Sequence, residues 1–286
     1  MKKTWFITGA SRGLGFEIAK AALRAGDQVV AAGRKKAAVA DNLGPDSGQL
    51  LSVELDVTEA NQARAAVVAA VARFGSIDVL VNNAGYGHLG FFEETTIKDV
   101  EAQFATNLFG VFNVMWAALP YMRSARSGRI FNISSLAGIL GAELGSLYCA
   151  SKFALAGFSE SLAKEIAPFG ISVTIVEPGP FRTDFLTAQS LRFGDNAVPD
   201  YDDRRARLRA GLEERDGRQG GDPAKLAEAI ARLANETRPP LRLIAGSIAF
   251  NAADAKLGSM HTELDQWREL SISTDGNYDD VVVPRY

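Results

Sequence analysis

The sequence lacks most of the features that mark secreted, membrane-spanning or nucleic-acid-binding proteins. Its 286 residues include one cysteine, so no disulfide can form within the chain, and a reducing cytoplasm fits this cysteine usage. The formal net charge of −3 leaves no basic field that would attract nucleic acid or an anionic membrane surface. No stretch approaches the ~18 consecutive apolar residues of a membrane span. We therefore expect a soluble, cytoplasmic protein whose partner is a small molecule.

Histidine is also scarce, with two residues in the chain. His88 lies in a predicted loop where no neighbour completes an acid/base pair or a metal site, so we favour a structural or surface role and predict no metal. Cys149 lies next to Tyr148, which raises the alternative of a reactive thiol. A lone cysteine in an apolar helix is more often a small buried hydrophobic residue, and we favour that interpretation.

A glycine-rich turn lies between the first predicted strand and the first predicted helix. Residues 4–7 form a short apolar strand, and residues 16–25 carry apolar residues at helical spacing. Glycines at such a turn let the backbone approach a pyrophosphate, and the helix N-terminus offers free N–H groups. A plain structural turn is the alternative, but the strand-turn-helix context favours a dinucleotide site. The predicted contacts are Gly9, Ser11, Arg12, Gly13, Leu14 and Gly15.

The end of the second predicted strand, residues 28–32, indicates which dinucleotide binds. An acidic residue here would bind the free ribose hydroxyls of NAD, but Arg34 stands near this end instead. Together with Arg12, it can form charge-assisted hydrogen bonds to the 2′-phosphate of NADP. An ordinary surface arginine is the alternative. The missing carboxylate and the two cations together predict NADP(H).

The next two strand ends supply further candidate contacts. Asp56 and Val57 follow the third predicted strand, residues 50–55, and would lie near the adenine. The alternative for Asp56 is a place in the cap of the next helix, residues 59–74, formed through Thr58. The fourth predicted strand, residues 77–81, ends in the sequence NNAG, whose small residues would let the cofactor cross the strand end. The predicted contacts there are Asn83, Ala84 and Gly85.

Tyr148 and Lys152 are four residues apart in a predicted helix, residues 147–166, and would share one face of it. A free tyrosine ionises near pH ~10, and an adjacent ammonium would lower that pKa enough for acid/base work. Ser135 follows the fifth predicted strand, residues 129–133, so a strand end and a helix start can converge on one substrate oxygen. The spacing alone occurs often by chance, and the strands and glycine turn supply its context.

Asn107 separates two predicted helical segments, residues 96–106 and 108–122. A polar residue at such a junction is usually a cap or a kink. A second role is to hold a water on the path from Lys152. Both roles remain open from the sequence.

The order of elements predicts an α/β fold. Strands and helices alternate over about 180 residues, which indicates a doubly wound Rossmann-type parallel sheet in a single domain, residues 1–286. After the sixth predicted strand, residues 171–176, a turn containing Pro178, Gly179 and Thr183 lies where a nicotinamide would bind, with Thr183 near its carboxamide. Residues 184–222 break the rhythm and predict a substrate lid, with its charges on a solvated helix face. A seventh strand, residues 241–245, precedes a C-terminal extension, residues 247–286.

Together, these motifs resemble the short-chain dehydrogenase/reductase family in its standard single-domain form. The matching positions are Thr8-Gly9-x-x-x-Gly13-x-Gly15, NNAG at residues 82–85, Asn107, Ser135, Tyr148-x-x-x-Lys152 and Pro178-Gly179-x-x-x-Thr183. The resemblance implies strand order 3-2-1-4-5-6-7 and a catalytic tetrad of Asn107, Ser135, Tyr148 and Lys152. It implies hydride transfer between NADP(H) and a carbonyl or alcohol, with Tyr148 as general acid/base. In that scheme Ser135 stabilises the substrate oxygen, Lys152 also holds the nicotinamide ribose and Asn107 anchors a water.

The last third of the chain is similar to the hydroxysteroid- and retinol-dehydrogenase-like branch of that family. This similarity, with the apolar residues near the lid, suggests a moderately hydrophobic ketone, aldehyde or secondary alcohol. The resemblance also implies a homo-oligomer, a dimer or tetramer built partly on the long helix of Tyr148. Two alternatives remain open: the same chemistry with NAD, and a non-enzymatic NADP-binding redox sensor whose state a protein partner reads. Such sensors commonly lack the tyrosine or the lysine, and this chain has both.

Overall fold

The computed structural model describes residues 2–194, 196–276 and 282. The strands are β1 Thr4–Thr8, β2 Gln28–Gly33, β3 Leu50–Glu54, β4 Val79–Asn82, β5 Gly87–Leu89, β6 Gly128–Ile133, β7 Ile171–Pro178, β8 Leu191–Phe193 and β9 Arg242–Ala245. The helices are α1 Gly13–Arg24, α2 Lys36–Leu43, α3 Ala60–Phe74, α4 Ile97–Phe104, α5 Gly110–Ala125, α6 Ser146–Ile166, α7 Asp202–Arg215, α8 Pro223–Leu233, α9 Ser247–Gln266 and α10 Arg268–Ile272. A π-helical turn, Ala105–Phe109, joins α4 to α5.

Seven of the strands form one parallel sheet in the order β3-β2-β1-β4-β6-β7-β9. Counted without the short strands β5 and β8, this is the predicted order 3-2-1-4-5-6-7, so the α/β fold class is confirmed. Strand order reverses between β1 and β4, where Trp5 pairs with Val79 and Ile7 with Val81. Ligands of open α/β sheets bind beyond the carboxyl ends of the strands at such a reversal.

The sheet separates two apolar cores because successive side chains of a strand point to opposite faces. On β1, Phe6 packs with the core that includes helices α3, α5 and α6. Its neighbours Trp5 and Ile7 pack on the other side, against α1 and α8. Both faces of the central strands are therefore buried, which explains why these strands are continuous apolar runs rather than alternating ones.

A second, two-stranded parallel sheet was not predicted. Strand β5 pairs with β8 so that Gly87 lies opposite Leu191 and Leu89 opposite Phe193. Each strand has three residues, too short for an alternating pattern to be recognised in the sequence. The pairing ties the predicted lid to the loop that follows β4, so this part of the lid has a fixed position over the sheet edge.

The chain ends in helices α9 and α10. No helix in the described ranges is both long and apolar enough to span a membrane. The last part of the predicted C-terminal extension, residues 277–281 and 283–286, lies outside the described residues.

Candidate active site

The glycine turn between β1 and α1 is a close-packed backbone loop. Gly9 and Gly13 have φ angles of +65° and +56°, a region that side chains other than glycine rarely adopt. A Cβ on Gly15 would lie 2.4 Å from the Gly9 carbonyl oxygen and 2.4 Å from Nδ2 of Asn83. Neither a capping side chain nor an acidic residue occupies the first turn of α1. The N-terminal N–H groups of α1 are thus free of side-chain acceptors, as an anion site requires.

The NNAG sequence holds this loop in place. The Asn83 side-chain amide donates to the carbonyl oxygens of Thr8, at 3.0 Å, and Gly9, at 3.1 Å. The backbone N–H groups of Asn83 and Ala84 donate to Thr8 Oγ1 at 2.9 and 3.0 Å. Asn83, predicted as a cofactor contact, therefore uses its side chain to position the glycine loop.

Ser11 and Leu14 also help to hold the glycine loop in place. The Ser11 carbonyl accepts a hydrogen bond from Nδ2 of Asn42 at 3.0 Å. Leu14 is partly buried and packs against the core beside α1.

The two predicted phosphate-binding arginines differ in their surroundings. Arg34 is exposed just beyond the end of β2, and within the described residues it makes no hydrogen bond or ion pair. Arg12 is engaged with the lid: it donates to the side chain and the carbonyl oxygen of Gln189 and, at 2.8 Å, to Oγ of Ser190. The structure thus leaves Arg34 available for a ligand and gives Arg12 an additional role that the sequence did not indicate.

Asp56 does not form the predicted helix cap. Its Oδ1 accepts hydrogen bonds from the Thr58 N–H and hydroxyl at 3.0 and 2.7 Å, which closes a local turn. Helix α3 begins later, at Ala60, and Glu59 precedes it without a capping hydrogen bond. Val57 beside it is buried, and its carbonyl oxygen accepts from Nδ2 of Asn113 at 2.9 Å.

The turn after β7 lies beside the glycine loop. Pro178 is the last residue of β7, and the Gly179 N–H donates to the Ala245 carbonyl at 3.0 Å. Thr183 Cβ is 3.8 Å from the point where a Cβ of Gly13 would be. The structure therefore brings Thr183 next to the first turn of α1, on the side of the sheet edge where the sequence placed the nicotinamide.

The four tetrad residues form one connected cluster. Tyr148 and Lys152 lie in the first two turns of α6, and Lys152 Nζ is 5.8 Å from the centre of the Tyr148 ring. The Lys152 ammonium donates to the carbonyl oxygen of Ile133, at the end of β6, at 2.7 Å. Ser135 hydrogen-bonds with the Tyr148 phenol. Its Oγ also accepts from the Ala137 N–H at 3.1 Å, which fixes the serine side chain.

The pKa of Tyr148 differs in direction from the prediction. Burial raises it to about 12, and the hydrogen bond with Ser135 lowers it only in part. Burial also lowers the pKa of Lys152 to about 8. The ammonium points to the Ile133 carbonyl rather than to the phenol oxygen, so desolvation outweighs its effect on the phenol. At neutral pH this tyrosine is a protonated acid.

Asn107 lies at the centre of the π-helical turn and is buried. Its Nδ2 donates to the Tyr86 carbonyl at 3.0 Å and to Ser151 Oγ at 3.1 Å, while Oδ1 accepts from the Tyr86 N–H at 3.1 Å. Single π-helical turns inside helices often occur at functional sites. The predicted role in holding a water stays a prediction, and it would need Oδ1 or the main-chain carbonyl because both amide hydrogens are used.

Gly85 closes the site on the side of Asn107. A Cβ on Gly85 would lie 3.1 Å from Asn107 Oδ1 and 3.7 Å from Lys152 Nζ.

Cys149, next to Tyr148 in the sequence, is a buried free thiol whose pKa is raised by burial, in agreement with the predicted structural role. A raised pKa keeps the thiol protonated and unreactive.

The lid covers Tyr148 with an aromatic side chain. The ring of Phe185 lies 5.6 Å from the Tyr148 ring, centre to centre. Gly87 makes room for the lid, since a Cβ there would lie 3.3 Å from Cζ of Phe185 and 3.0 Å from Cδ1 of Leu191. The surface next to the phenol is therefore apolar on its lid side. Phe185 was recognised in the sequence only as one of several apolar lid residues.

The charged lid helix α7 is anchored, contrary to the expectation of a wholly solvated face. Arg205 forms an ion pair with Glu94, whose side chain is buried, and a second with Asp202. Arg204 pairs with Glu143 in the loop before α6. Glu143 and Glu94 are 61 and 111 residues away from their arginines in sequence, so no local spacing signalled these two pairs.

A family model and known oxidoreductases match most of this chain. A family model described as short chain dehydrogenase matches residues 3–192. Oxidoreductase BOA17 of Botryotinia fuckeliana is 40% identical over 276 residues, which cover 96% of this chain and 100% of that protein. The 3-ketodihydrosphingosine reductase of Bacteroides thetaiotaomicron is 39% identical over 242 residues, or 85% of this chain and 87% of that protein.

Solved structures agree in fold. A crystal structure of a short-chain dehydrogenase from Streptomyces avermitilis has a TM-score of 0.87 and 39% identity, covering 96% of this chain and 100% of that chain. The structure of ElxO with NADP bound has a TM-score of 0.69 and 29% identity, covering 84% of this chain and 94% of that one. The similarity to the Streptomyces structure extends through nearly all of the chain.

Proposed function

The chain belongs to the short-chain dehydrogenase/reductase family, and on this premise we propose that it is an NADP(H)-dependent oxidoreductase that interconverts a carbonyl group and an alcohol. The observation that carries the proposal is the convergence of Tyr148, Ser135 and Lys152 beside the glycine loop. These residues come from α6 and from the loop after β6, so the fold has to bring them together. A structural role alone does not explain a buried lysine beside a half-buried tyrosine.

In the proposed reaction, Tyr148 is the proton donor and acceptor. Its pKa of about 12 keeps the phenol protonated at neutral pH, which suits donation of a proton to a carbonyl oxygen during reduction. Ser135 donates a hydrogen bond to the same oxygen and stabilises its developing negative charge. The positively charged Lys152 stabilises the phenolate that remains and holds the nicotinamide ribose. The bound cofactor supplies the hydride or accepts it.

The cofactor would be held by groups from four strand ends. The uncapped N–H groups of α1 fit its pyrophosphate, and the exposed, unpaired Arg34 fits the 2′-phosphate of NADP. Thr183 would bind the carboxamide, and Asp56 with Val57 would lie near the adenine. The NADP-bound ElxO structure, a relative in fold, supports NADP over NAD.

The substrate is proposed to be a moderately hydrophobic ketone, aldehyde or secondary alcohol. Phe185 presents an apolar surface directly against the Tyr148 ring, and Leu191 packs beside it. The name of the Bacteroides relative describes reduction of a ketone on a long-chain base, a substrate of this chemical kind. A panel of aliphatic ketones of increasing chain length is the direct test, with kcat/KM expected to rise with length.

Replacing Tyr148 by phenylalanine tests the reaction itself. Tyr148→Phe removes the proton donor and keeps the ring that packs on Phe185, so kcat should fall by about 10²- to 10⁴-fold. NADPH binding, followed by nicotinamide fluorescence, should change little. Tyr121→Phe is a matched control because Tyr121 is exposed on α5. Full activity of Tyr148→Phe would refute the assigned role, and tight NADPH binding without turnover of any carbonyl would favour the redox-sensor alternative.

Replacing Arg34 by aspartate tests the cofactor assignment. A charge-assisted bond to the 2′-phosphate contributes about 1.5–3 kcal/mol, so Arg34→Asp should weaken NADPH binding by about tenfold or more. NADH binding should be retained or improved, because the carboxylate suits free ribose hydroxyls. Lys35→Asp, on the adjoining exposed residue, is the control. An unchanged ratio of NADPH to NADH affinity in Arg34→Asp would support the NAD alternative.

A further inference from the structure

Two cavities lie between strand β8 and the lid helix α7. The first, which we call the apolar cavity, has a volume of about 330 Å³ and is lined mainly by the apolar side chains of Leu186, Leu191, Phe193 and Leu212. The second, the polar cavity, has a volume of about 410 Å³ and is lined mainly by the polar side chains of Glu94, Asn196, Arg205 and Arg209. Both volumes are typical of small-molecule sites. Phe193 and Arg209 line both cavities, so the two adjoin at these residues.

The apolar cavity begins beside the candidate active site. Alternate side chains of a strand point to the same face, so Leu191 and Phe193 share one face of the two-stranded sheet. Leu191 and Phe185 both come within 3.3 Å of the point where a Cβ of Gly87 would be, and the ring of Phe185 lies against that of Tyr148. Two residues of a strand span about 7 Å. An apolar surface therefore leads from the phenol to the junction of the two cavities.

Arg209 brings a positive charge to that junction. Its guanidinium lies over the Phe193 ring, 4.2 Å from the ring centre. Its Nε is buried and has no hydrogen-bond partner among the described residues. The ring covers the face of the guanidinium and leaves the N–H groups, which lie at its edge, for an acceptor. A buried donor without an acceptor costs free energy, so Arg209 indicates that a ligand supplies one.

The neighbouring charges favour a carboxylate as that acceptor. In the polar cavity, the buried Glu94 is already paired with Arg205. Glu213 and Asp216 line the apolar cavity, but both are exposed, so water and salt screen their charges. Among the described residues that line the cavities, Arg209 therefore remains the cation without a counter-charge. A carboxylate has the single negative charge that would balance it and can accept two parallel N–H bonds from a guanidinium.

We propose that Arg209 determines substrate specificity by binding the carboxylate of an apolar keto acid or hydroxy acid whose other oxygen reacts at Tyr148. The chain between the two groups lies over Leu191 and Phe193. For the reacting group this inference rests on the proposed function, whereas the carboxylate site is a property of the lid itself. It narrows the substrate from a hydrophobic ketone or alcohol to one that carries an acid group several bonds away.

A matched pair of ketones tests the role of the carboxylate. The probes 9-oxodecanoate and its methyl ester have the same ketone and the same chain, and only the acid is charged. With NADPH, kcat/KM should be about tenfold or more higher for the acid, and this ratio should fall towards one in Arg209→Met. Because the ratio compares two substrates of one variant, a partial loss of folded protein does not change it.

Arg207→Met is the control for this ratio. Arg207 is an exposed arginine on the same helix, and its replacement should leave the preference for the acid as it is in the unchanged protein. Equal use of acid and ester by the unchanged protein, or an unaltered ratio in Arg209→Met, would overturn the proposal.

Binding of decanoate tests the same site without the reaction. Decanoate has the chain and the carboxylate but no ketone, and isothermal titration calorimetry gives its Kd. Arg209→Met should raise this Kd about tenfold or more, and Arg209→Lys, which keeps the charge but not the planar fork, should raise it less. If decanoate binds in this way and no ketone is turned over, the proposed reaction fails and the carboxylate site stands. If ketones are reduced and decanoate binds Arg209→Met as tightly as the unchanged protein, the carboxylate site fails and the reaction stands.

Discussion

The burial of Lys152 in the candidate active site lowers the stability of the folded chain. Its side chain is 5% exposed, it has no acidic partner in the described chain, and its ammonium has one hydrogen bond, to the Ile133 carbonyl. The folded state therefore disfavours the charged form, and the pKa falls from 10.5 to about 8. Tyr148 is shifted in the opposite sense by the same burial. At neutral pH the Lys152 shift reduces the stability of the folded chain, because the ammonium is charged there, whereas the Tyr148 shift does so only above pH ~10.

Replacing Lys152 should stabilise the protein at neutral pH. A buried ammonium with this pKa binds its proton less tightly in the folded than in the unfolded chain, so the free energy of unfolding rises with pH from about 8 to 10.5. Allowing for the lost hydrogen bond to Ile133, Lys152→Met should be more stable by about 2 kcal/mol at pH 7. The difference should shrink at pH 9.5. Tyr148 acts oppositely above pH 10, where a raised tyrosine pKa makes stability fall with pH.

Urea denaturation at pH 7 and pH 9.5 measures this difference. Lys164→Met is the control, because Lys164 is exposed near the end of the same helix and its removal should not change the pH dependence. Equal unfolding free energies of Lys152→Met and the unchanged protein at pH 7 would show that the ammonium is better solvated than its burial indicates.

The sequence predicted the tetrad by position but not by environment. Tyr148 and Lys152 were identified by their spacing and Ser135 by its place after a strand, since both signals are local. The pKa of Tyr148 was predicted in the wrong direction, because burial depends on Phe185 and other residues distant in sequence. Arg12 was predicted from its loop, and its bonds to Gln189 and Ser190 had no sequence signal.

At the scale of elements, one buried ion pair fixes the lid helix α7 to the segment after β5. Glu94 is 1% exposed and follows β5, and Arg205 reaches it from the first turn of α7. Removing one partner of a buried pair leaves an uncompensated charge and costs about 3–5 kcal/mol. We expect a variant that lacks one partner to avoid that cost by detaching α7 while the sheet stays folded.

Arg205→Met should loosen the lid while the cofactor site remains intact. We expect faster hydrogen exchange across residues 202–215 and a KM for the carbonyl substrate raised about tenfold or more, with NADPH affinity nearly unchanged. Arg207→Met is the control, since Arg207 is exposed and its side chain bonds, among the described residues, within its own helix to the Asp203 carbonyl. The double variant Glu94→Gln/Arg205→Met should recover much of the loss. Unchanged exchange across α7 in Arg205→Met would show that the pair does not hold the lid.

Element lengths explain which parts of the fold were predictable. The central strands of the large sheet are apolar runs buried on both faces, and the strand order was implied by the resemblance to the short-chain dehydrogenase/reductase family. Strands β5 and β8 have three residues each and pair across about a hundred residues, so neither local pattern nor neighbouring sequence marks them. The π-helical turn at Asn107 adds one residue to a helix and looks like a junction in the sequence.

For the whole molecule, an apolar surface lies on α5 and α6. Trp116 is 71% exposed, and Phe109, whose ring lies 6.0 Å from that of Phe112, is exposed as well. The ring of Phe112 lies 6.0 Å from the ring of Trp116 and 4.5 Å from the ring of Phe158, centre to centre. Monomeric proteins rarely leave such aromatic groups in water. This surface fits the expected association through the helix of Tyr148.

The exposed aromatic surface on α5 and α6 predicts self-association. Trp116→Glu should lower the mass measured by light scattering, because the substitution places a charge in this contact. Ile97→Glu is the control, as Ile97 is equally exposed but lies on α4. A mass for Trp116→Glu equal to that of the unchanged protein would show that the α5 and α6 surface does not associate.

The bonds from Arg12 to the lid have a consequence for the order of events in turnover. The guanidinium gives three of its five N–H groups to Gln189 and Ser190, which leaves two for a phosphate. One side chain would then connect the cofactor to the start of the lid. We expect a compulsory-order mechanism in which NADPH enters first and NADP⁺ leaves last. In steady-state kinetics, NADP⁺ would inhibit competitively against NADPH, and the alcohol product would not.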